Sequence, residues 1–315
     1  MEISAKTGLL RNGAAVPFFE EGLRVEKLYS AIDKHWKYLF VLIPVTLTLV
    51  FFYLPLVQGV YWSFTDWSGI AIHYNFVGFD NFARIFSDVR VIASMRFTGI
   101  FTASLLIGSI VVAMFLAIQL NQKIRGIGFF RTAYFFPAVV GTATLGMIFR
   151  WIFHHGLPRF GRALDIEWLS ANLTASVSTA PWAVVFVALW QILAFPTLII
   201  LAGLQAIPQE IKEASAIDGA NRWQMFKKIE LPYLQTAISI IVIFSLRIGL
   251  TAFDLVYTMT AGGPAGSTTS LGLLIFNYAF HFNQFGYSTS IAVMVFVLVA
   301  IISIIQITLS RKFEA

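Results

Sequence analysis

The sequence predicts an all-α membrane protein with six transmembrane helices, and two observations carry that prediction. The first is composition: of 315 residues, 58% are hydrophobic and only 12% are charged, whereas about 25% are charged in an ordinary soluble protein. The second is arrangement, since the apolar residues form runs about 20 residues long, the length of a helix that crosses a bilayer. Because the hydrocarbon core holds no water to bind a free backbone group, each spanning segment must be helical.

Short polar stretches separate the six apolar runs, and aromatic residues such as Trp62, Trp151 and Trp182 near their ends suit the headgroup level. Several runs contain prolines, each of which removes a backbone donor and favours a kinked helix beside a pathway: Pro44, Pro55, Pro137 and Pro196. The predicted spans are residues 38–62, 97–120, 131–153, 182–204, 233–259 and 288–309. A short surface helix is expected over residues 269–282, on the outer side.

Lys and Arg set the expected orientation. They concentrate in residues 1–37, in the loops 121–131 and 205–232, and in the C-terminal tail, and such loops face the cytoplasm. Both termini are therefore expected to be cytoplasmic, and the first apolar run starts too late to be a cleavable signal peptide. The net charge of +6 does not form a patch for nucleic acid, and the absence of cysteine excludes disulfides and thiolate metal sites.

Three segments organise the chain. Residues 1–37 form an N-terminal cytoplasmic segment in which Leu28, Ile32 and Trp36 predict an amphipathic helix, either an interfacial leader or a contact with a partner. Residues 38–312 form the transmembrane domain with its loop 205–232, and residues 313–315 form a tail.

The loop 205–232 predicts two short helices joined by a tight turn. Residues 209–217 are good helix formers after Pro208, and Gly219 suits the left-handed end of a helix. Asn221 and Gln224 have the spacing of a capping box for a second helix, and Pro232 marks the expected start of the next membrane helix.

The second of these helices is expected to expose large apolar residues, since Trp223, Met225 and Phe226 stand beside basic residues. Aromatic side chains on a small projection suit a groove in another protein. The alternative is an amphipathic loop that packs on the membrane face.

The same loop resembles the EAA loop of binding-protein-dependent ABC importer permeases. The resemblance rests on Glu213-Ala214-Ser215, on Gly219 four residues later, and on Ile229-x-Leu231-Pro232. Ser215 departs from the usual alanine but keeps a small side chain. The resemblance implies the type I ABC importer permease fold, with the loop as a coupling helix that seats on an ATPase subunit. It implies that Glu213 contacts the ATPase and that Gly219 permits the turn, with the remaining coupling residues being Ala214, Ser215, Asp218, Trp223, Phe226 and Pro232.

Further segments resemble carbohydrate-uptake permeases of the first-of-pair type. They are residues 76–82 (Phe-Val-Gly-Phe-Asp-Asn-Phe), 130–131, 136–137, 202–208, 218–220, 253–254 and 260–264. The resemblance covers roughly residues 38–312. It implies a carbohydrate substrate, namely a di- or oligosaccharide, with neutral and acidic sugars both left open. It also implies a second homologous permease, two ATPase subunits, an extracytoplasmic solute-binding protein and a location in the bacterial inner membrane. The chain has no Gly-x-x-x-x-Gly-Lys-Ser/Thr loop, so we expect it to bind no cofactor itself and the ATPases to bind ATP and Mg.

Candidate substrate contacts lie in the fourth and fifth spans. Arg247 and Asp254 are seven residues apart in one predicted helix and therefore on about the same face, and a charge in the membrane must face a cavity or a partner. Trp190, Gln191 and Tyr257 offer aromatic faces and an amide for a sugar. For each of these residues the alternative is a structural contact between helices.

Other function classes fit less well. An intramembrane enzyme needs a nucleophile with a base, or metal ligands, and His154 and His155 are expected on different faces of a helix, which disfavours a metal. An ion-coupled carrier would use Asp254 for coupling, and an ABC permease for polyamine or phosphate would share the loop.

Overall fold

The computed structural model describes residues 38, 40–122 and 127–314. The chain divides into two compact units, Met1–Gly59 and Val60–Ala315. Three helices are long and apolar enough to cross a membrane, and three bent helix pairs would each make one further span, which gives up to six by length and composition. The predicted all-α fold is confirmed, while the three-segment division of the chain stays a prediction and residues 1–37 lie outside the described part.

The described residues form helices that we number in chain order. They are α1 (Phe40–Trp62), α2 (Asp80–Ile85), α3 (Val89–Leu120), α4 (Ile127–Val139), α5 (Thr142–Ala163), α6 (Glu167–Ser170), α7 (Ala180–Ile192), α8 (Ala194–Gln205), α9 (Gln209–Ile217), α10 (Arg222–Tyr233), α11 (Gln235–Leu250), α12 (Asp254–Thr260), α13 (Leu271–His281) and α14 (Phe285–Glu314).

Within the first unit, α1 contains a π-helical turn over Leu49–Tyr53. Pro55 lies two residues after this turn, and a proline ring crowds the carbonyl four residues earlier while offering no N–H to it. The wider turn relieves that conflict, so the proline effect expected from the sequence is a local widening of the helix.

Helix α3 is central to the second unit and packs against α7, α8 and α11. Its contact with α11 uses small residues: the hydroxyl oxygens of Ser109 and Ser245 lie 2.9 Å apart, both buried. Further along, Gly249 lies so close to Thr102 that a Cβ atom would clash with the Thr102 backbone. Small side chains allow this close approach where apolar burial drives helices together only weakly.

Three spans are broken. The axes of α4 and α5 differ by 105°, those of α7 and α8 by 47°, and those of α10 and α11 by 65°. Pro137 lies in the last turn of α4 and Pro196 in the first turn of α8, so the predicted kinks in the third and fourth spans are confirmed.

The fifth span ends earlier than predicted. Helix α11 stops at Leu250, and α12 begins at Asp254 as a separate helix. A hydroxyl from another segment satisfies a backbone carbonyl at this break, since Ser270 donates to Ala252 O at 2.6 Å. The Thr251 hydroxyl adds a bond at 2.8 Å to Arg247 O, which also accepts the Thr251 N–H. Because Ser270 comes from a distant segment, the apolar pattern of residues 251–259 did not reveal the break.

Helix α13 occupies most of the predicted surface segment 269–282, but it is not a surface helix. Leu271, Leu273, Leu274 and Tyr278 are buried, and α13 packs against α3 and α14. The hydroxyl of Thr98 on α3 also accepts a hydrogen bond from the Leu271 N–H at 3.0 Å. The expectation was wrong because the apolar face of α13 meets the helical body.

A half-buried carboxylate joins the start of α3 to α13 and α14. Asp88 caps α3 by accepting from the Arg90 N–H at 2.8 Å, and it also accepts from the Tyr278 and Tyr287 hydroxyls at 2.5 and 3.0 Å. Burial raises the pKa of the Asp88 carboxyl, but the hydrogen bonds from Tyr278, the Arg90 N–H and Tyr287 outweigh burial and hold the pKa below its usual value. The carboxylate therefore stabilises this corner only while it is ionised.

We expect Asp88→Ala to lower the free energy of unfolding by about 1–3 kcal/mol at pH 7, because two tyrosine hydroxyls and a helix end lose their acceptor. Since the folded-state pKa is depressed, the stabilisation is complete above the ordinary value of about 3.9 and is lost as the pH falls through the depressed value. Thermal unfolding of the detergent-solubilised protein at neutral and acid pH measures this. Asp80→Ala, which removes an exposed carboxylate, is the control. An equal loss from both variants at pH 7 would contradict the assignment.

Candidate functional site

The projection formed by α9, residues 218–221 and α10 has the local geometry predicted for it. Helix α9 begins after Pro208 and ends before Gly219, whose φ of 74° is left-handed. The side-chain oxygen of Asn221 accepts from the Gln224 N–H at 2.8 Å, and the Gln224 side chain accepts from the Asn221 N–H at 2.9 Å. The predicted helix, turn and capping box are therefore confirmed.

A hydrogen bond joins α9 to the end of α8, in which the Lys212 ammonium donates to Leu204 O at 3.2 Å. Ser215 is buried, and its hydroxyl donates within α9 to Lys212 O at 2.8 Å. Ile207 in the connection is also buried. The small residue at position 215 thus faces the body, which explains how serine can stand where alanine is usual.

The side of α9 away from Ser215 is exposed. Glu213 and Ala214 are exposed, and the Glu213 carboxylate accepts from the Gln209 side chain at 3.1 Å. Ile217, one turn beyond Glu213, is 86% exposed, as is Asp218 at the helix end. Sequence reasoning missed Ile217, although its four-residue spacing from Glu213 places both on one face.

The large apolar side chains of α10 differ in how exposed they are. Trp223 is 69% exposed and its ring stacks on Phe226 with centroids 5.7 Å apart. Phe226 and Met225 are only half-buried side chains that line a cleft of about 820 Å³ between α10 and the ends of α3 and α8. The expectation that all three are exposed thus holds for Trp223 alone.

Pro232 does not begin the membrane helix. It lies inside α10, just after a π-helical turn over Phe226–Glu230, and the bend to α11 follows at Leu234. A proline in a continuing helix displaces the preceding turn because it lacks an N–H. The expected boundary was therefore placed too early.

A central cavity of about 440 Å³ lies where the helix breaks meet. Residues from α4, α5, α7, α8, α11 and α12 line it, and they include Gln191, Arg247 and Asp254. The break after Leu250 means that Arg247 and Asp254 do not share a face of one helix, as the sequence suggested, yet the fold brings both to the same cavity. Neither side chain has a hydrogen-bond or ion-pair partner among the described residues.

Gln191 fastens the break between α4 and α5. Its side-chain amide nitrogen donates to Val140 O at 3.2 Å and to the Thr142 hydroxyl at 3.1 Å. A break inside an apolar span frees backbone carbonyls that need a donor. The amide N–H groups of Gln191 are therefore engaged in structure at the edge of the cavity.

Trp190 and Tyr257 lie outside the cavity wall. The Trp190 ring packs edge-on against Phe149 at 5.4 Å, and Tyr257 stacks on Phe253 at 5.5 Å. The aromatic side chains that do line the cavity include Phe195 and Phe244, whose rings are 4.4 Å apart. Sequence reasoning missed them because a phenylalanine in an apolar span carries no signal of which way it faces.

Residues 109–315 match the family described as the inner membrane component of binding-protein-dependent transport systems. The chain belongs to this family. It is similar to the multiple sugar-binding transport system permease protein MsmF of Streptococcus mutans, with 45% identity over 90% of this chain and 98% of the relative. It is also similar to the probable starch degradation products transport system permease protein AmyD of Thermoanaerobacterium thermosulfurigenes, with 34% identity over 89% and 95% of the two chains.

Solved structures support the fold. A chain of a bacterial ABC transporter that imports the acidic polysaccharide alginate superposes with a TM-score of 0.74 at 18% identity, covering 91% of this chain and 99% of that one. Family membership makes the chain a multi-pass membrane subunit of a transporter that works with a binding protein, and its relatives are permeases rather than enzymes.

We expect Asn221→Ala to raise the hydrogen exchange of the first amides of α10 about fivefold, because a lost N-cap costs about 1 kcal/mol of local stability. Asn221→Asp keeps the acceptor and should exchange like the wild-type protein. Exchange mass spectrometry of peptides covering residues 222–226 measures the effect, and unchanged exchange in Asn221→Ala would show that the cap is not what holds α10.

Proposed function

We propose that this chain is the membrane-spanning subunit of an ATP-driven importer that moves a carbohydrate from an extracytoplasmic binding protein into the cytoplasm by alternating access. The observation that carries the proposal is the combination of an exposed helical projection at one end of the fold with a central cavity holding unpaired polar groups. Relatives named for multiple sugars and for starch degradation products point to carbohydrate as the substrate class.

The projection is the proposed contact with an ATPase subunit. Its exposed residues include a carboxylate, two large apolar side chains and a second acidic group: Glu213, Ile217, Trp223 and Asp218. An apolar centre beside charged groups suits a pocket in another protein. The hydrogen bond from Lys212 to Leu204 O and the burial of Ser215 would let a push on α9 reach α8.

Other subunits complete the proposed assembly. The sequence lacks a phosphate-binding loop for ATP, so ATP and Mg belong to two ATPase copies, and this chain binds no cofactor. A second, homologous permease would form a heterodimer with it in the bacterial inner membrane, with both termini in the cytoplasm as the Lys and Arg distribution favours.

The central cavity is the proposed substrate passage, with Arg247 and Asp254 as its polar contacts. A charge without a protein partner is costly at membrane depth, and sugar hydroxyls can accept from a guanidinium and donate to a carboxylate. Gln191 would act mainly by holding the wall in shape. Trp190 and Tyr257, which pack behind the wall, have a structural role in this proposal.

Importers of other solutes remain alternatives with less support. A permease named for sn-glycerol-3-phosphate from Agrobacterium fabrum is 30% identical over 89% of this chain, so a phosphorylated polyol is the runner-up substrate. A polyamine or phosphate permease and an ion-coupled carrier are not favoured by the sugar-named relatives.

We expect Glu213→Lys to abolish ATP-driven sugar uptake in the reconstituted importer while the two permeases still assemble, because the change reverses a charge on the ATPase-facing surface. Glu210→Lys, an exposed residue in the first turn of the same helix, is the matched control and should transport normally. Uptake and ATPase co-purification are measured together. Unchanged uptake by Glu213→Lys would count against the coupling role.

We expect Arg247→Ala to lower sugar uptake per ATP hydrolysed about tenfold, since one charge-assisted hydrogen bond to the substrate contributes about 1.4 kcal/mol or more. Arg159→Ala, which removes an exposed arginine of α5 outside the cavity, should leave the ratio unchanged. Proteoliposomes supplied with loaded binding protein allow both rates to be measured. A normal ratio of uptake to ATP hydrolysis in Arg247→Ala would contradict the proposed role of the central cavity as the substrate passage.

A further inference from the structure

A second cavity, of about 580 Å³, lies at the end of the fold opposite the projection. Its lining includes Arg150, Trp151, His154, His155, Asn172 and Thr174. Residues 176–179 connect the segment 172–175 to α7, and α7 and α8 then run to the projection. The central cavity is lined by residues near the middle of this helix pair, such as Gln191 and Phe195, so the outer cavity lies beyond the N-terminal end of α7 and the central cavity about half-way along.

A π-helical turn over Ile152–Gly156 shapes one wall of the outer cavity. His154 and His155 lie in this turn, their ring centroids are 4.6 Å apart, and both line the cavity. The sequence predicted that these neighbours point to different faces of a helix, yet both border the same cavity. Among the described residues no group of three His, Asp or Glu is placed to hold a metal ion, so an organic ligand is the chemistry to consider.

Hydrogen bonds hold the polar side chains of the outer cavity in place. The Asn172 side-chain oxygen accepts from the Thr174 N–H at 2.9 Å and from the Thr174 hydroxyl at 2.8 Å. Because a backbone N–H can only donate, this assignment leaves the Asn172 amide nitrogen as the donor to Nδ1 of His154 at 2.5 Å. The ring proton of His154 then lies on Nε2, which has no partner among the described residues.

The remaining groups match a saccharide. The Trp151 side chain is 59% exposed, and the apolar face of a sugar ring can lie on an aromatic ring while hydroxyls bond polar side chains around it. Arg150 has no hydrogen-bond or ion-pair partner in the described part of the chain, and no acidic residue lines the cavity. The wall is thus rich in donors, and sugar oxygens are acceptors.

We propose that the outer cavity is a second carbohydrate-binding site, at which a sugar contacts this subunit before it reaches the central cavity. The proposal rests on the proposed function. Helix α5 lines the central cavity at Thr142 and the outer cavity at Arg150, about 12 Å further along at 1.5 Å per residue. Helix α12 likewise borders both, through Asp254 and then Met259. One helix pair therefore borders both cavities, and α5 and α12 pack closely against each other between them at Gly146 and Thr258.

The test is protection from thiol labelling, which the absence of cysteine in this chain makes simple. Ala175→Cys places a thiol in the lining of the outer cavity, and Val177→Cys places one at a 57% exposed neighbour outside the lining. The assembled importer carrying either variant is labelled with a small maleimide during titration with maltotriose, raffinose or trigalacturonate. At about ten times its Kd, a bound saccharide should slow labelling of Ala175→Cys about tenfold, because only the unoccupied fraction reacts.

Labelling of Val177→Cys should not change. Adding Trp151→Ala to Ala175→Cys should abolish protection, while Trp151→Phe should retain part of it because the phenyl ring still stacks. If none of the three saccharides protects Ala175→Cys, or if Val177→Cys is protected equally, the outer site is refuted. Sugar uptake by the same proteoliposomes separates the two proposals. Sugar uptake without protection of Ala175→Cys overturns only the outer site. Uptake that does not discriminate sugars from other solutes overturns the proposed function itself.

Discussion

The need to satisfy backbone carbonyls inside apolar spans governs this fold. At two helix breaks near the central cavity, a side chain takes the place of the missing N–H. Gln191 donates to Val140 O at the break between α4 and α5, and Ser270 donates to Ala252 O at the break between α11 and α12. Without these donors the breaks would leave polar groups free in an apolar medium, at a cost of several kcal/mol each.

The breaks in turn create the cavity. A straight helix keeps all its backbone groups internal and its side chains at fixed intervals, so a bundle of straight helices closes on itself. Here the 105° bend between α4 and α5 and the end of α11 before α12 leave space between them. Arg247 at the end of α11 and Asp254 at the start of α12 reach that space from the two sides of a gap. Broken helices beside a cavity are the arrangement that membrane proteins tolerate for polar passage.

Helix α11 also connects the two proposed working parts of the molecule. It follows the projection after the bend at Leu234 and carries Arg247 near its other end. Leu234 is fully buried beside Gly203 of α8, where a Cβ atom would crowd it. The close contacts of Ser245 and Gly249 with α3 make α3 and α11 one tightly packed pair. A displacement of the projection would therefore move the cavity wall rather than be absorbed by a loose joint.

The sequence alone determined the class of protein, the approximate spans and the local structure of the projection, because these depend on signals between neighbours in the chain. Apolar runs specify membrane helices, Gly219 specifies a left-handed turn, and Asn221 with Gln224 specifies a helix start. Only the tertiary structure decided where the spans break, that α13 is buried, that Gln191 fastens a wall while Trp190 packs behind it, and that His154 and His155 share a cavity. Those outcomes depend on donors and packing surfaces supplied from distant segments, such as Ser270 for Ala252. The pattern of hydrophobicity along the chain does not specify which distant groups come into contact.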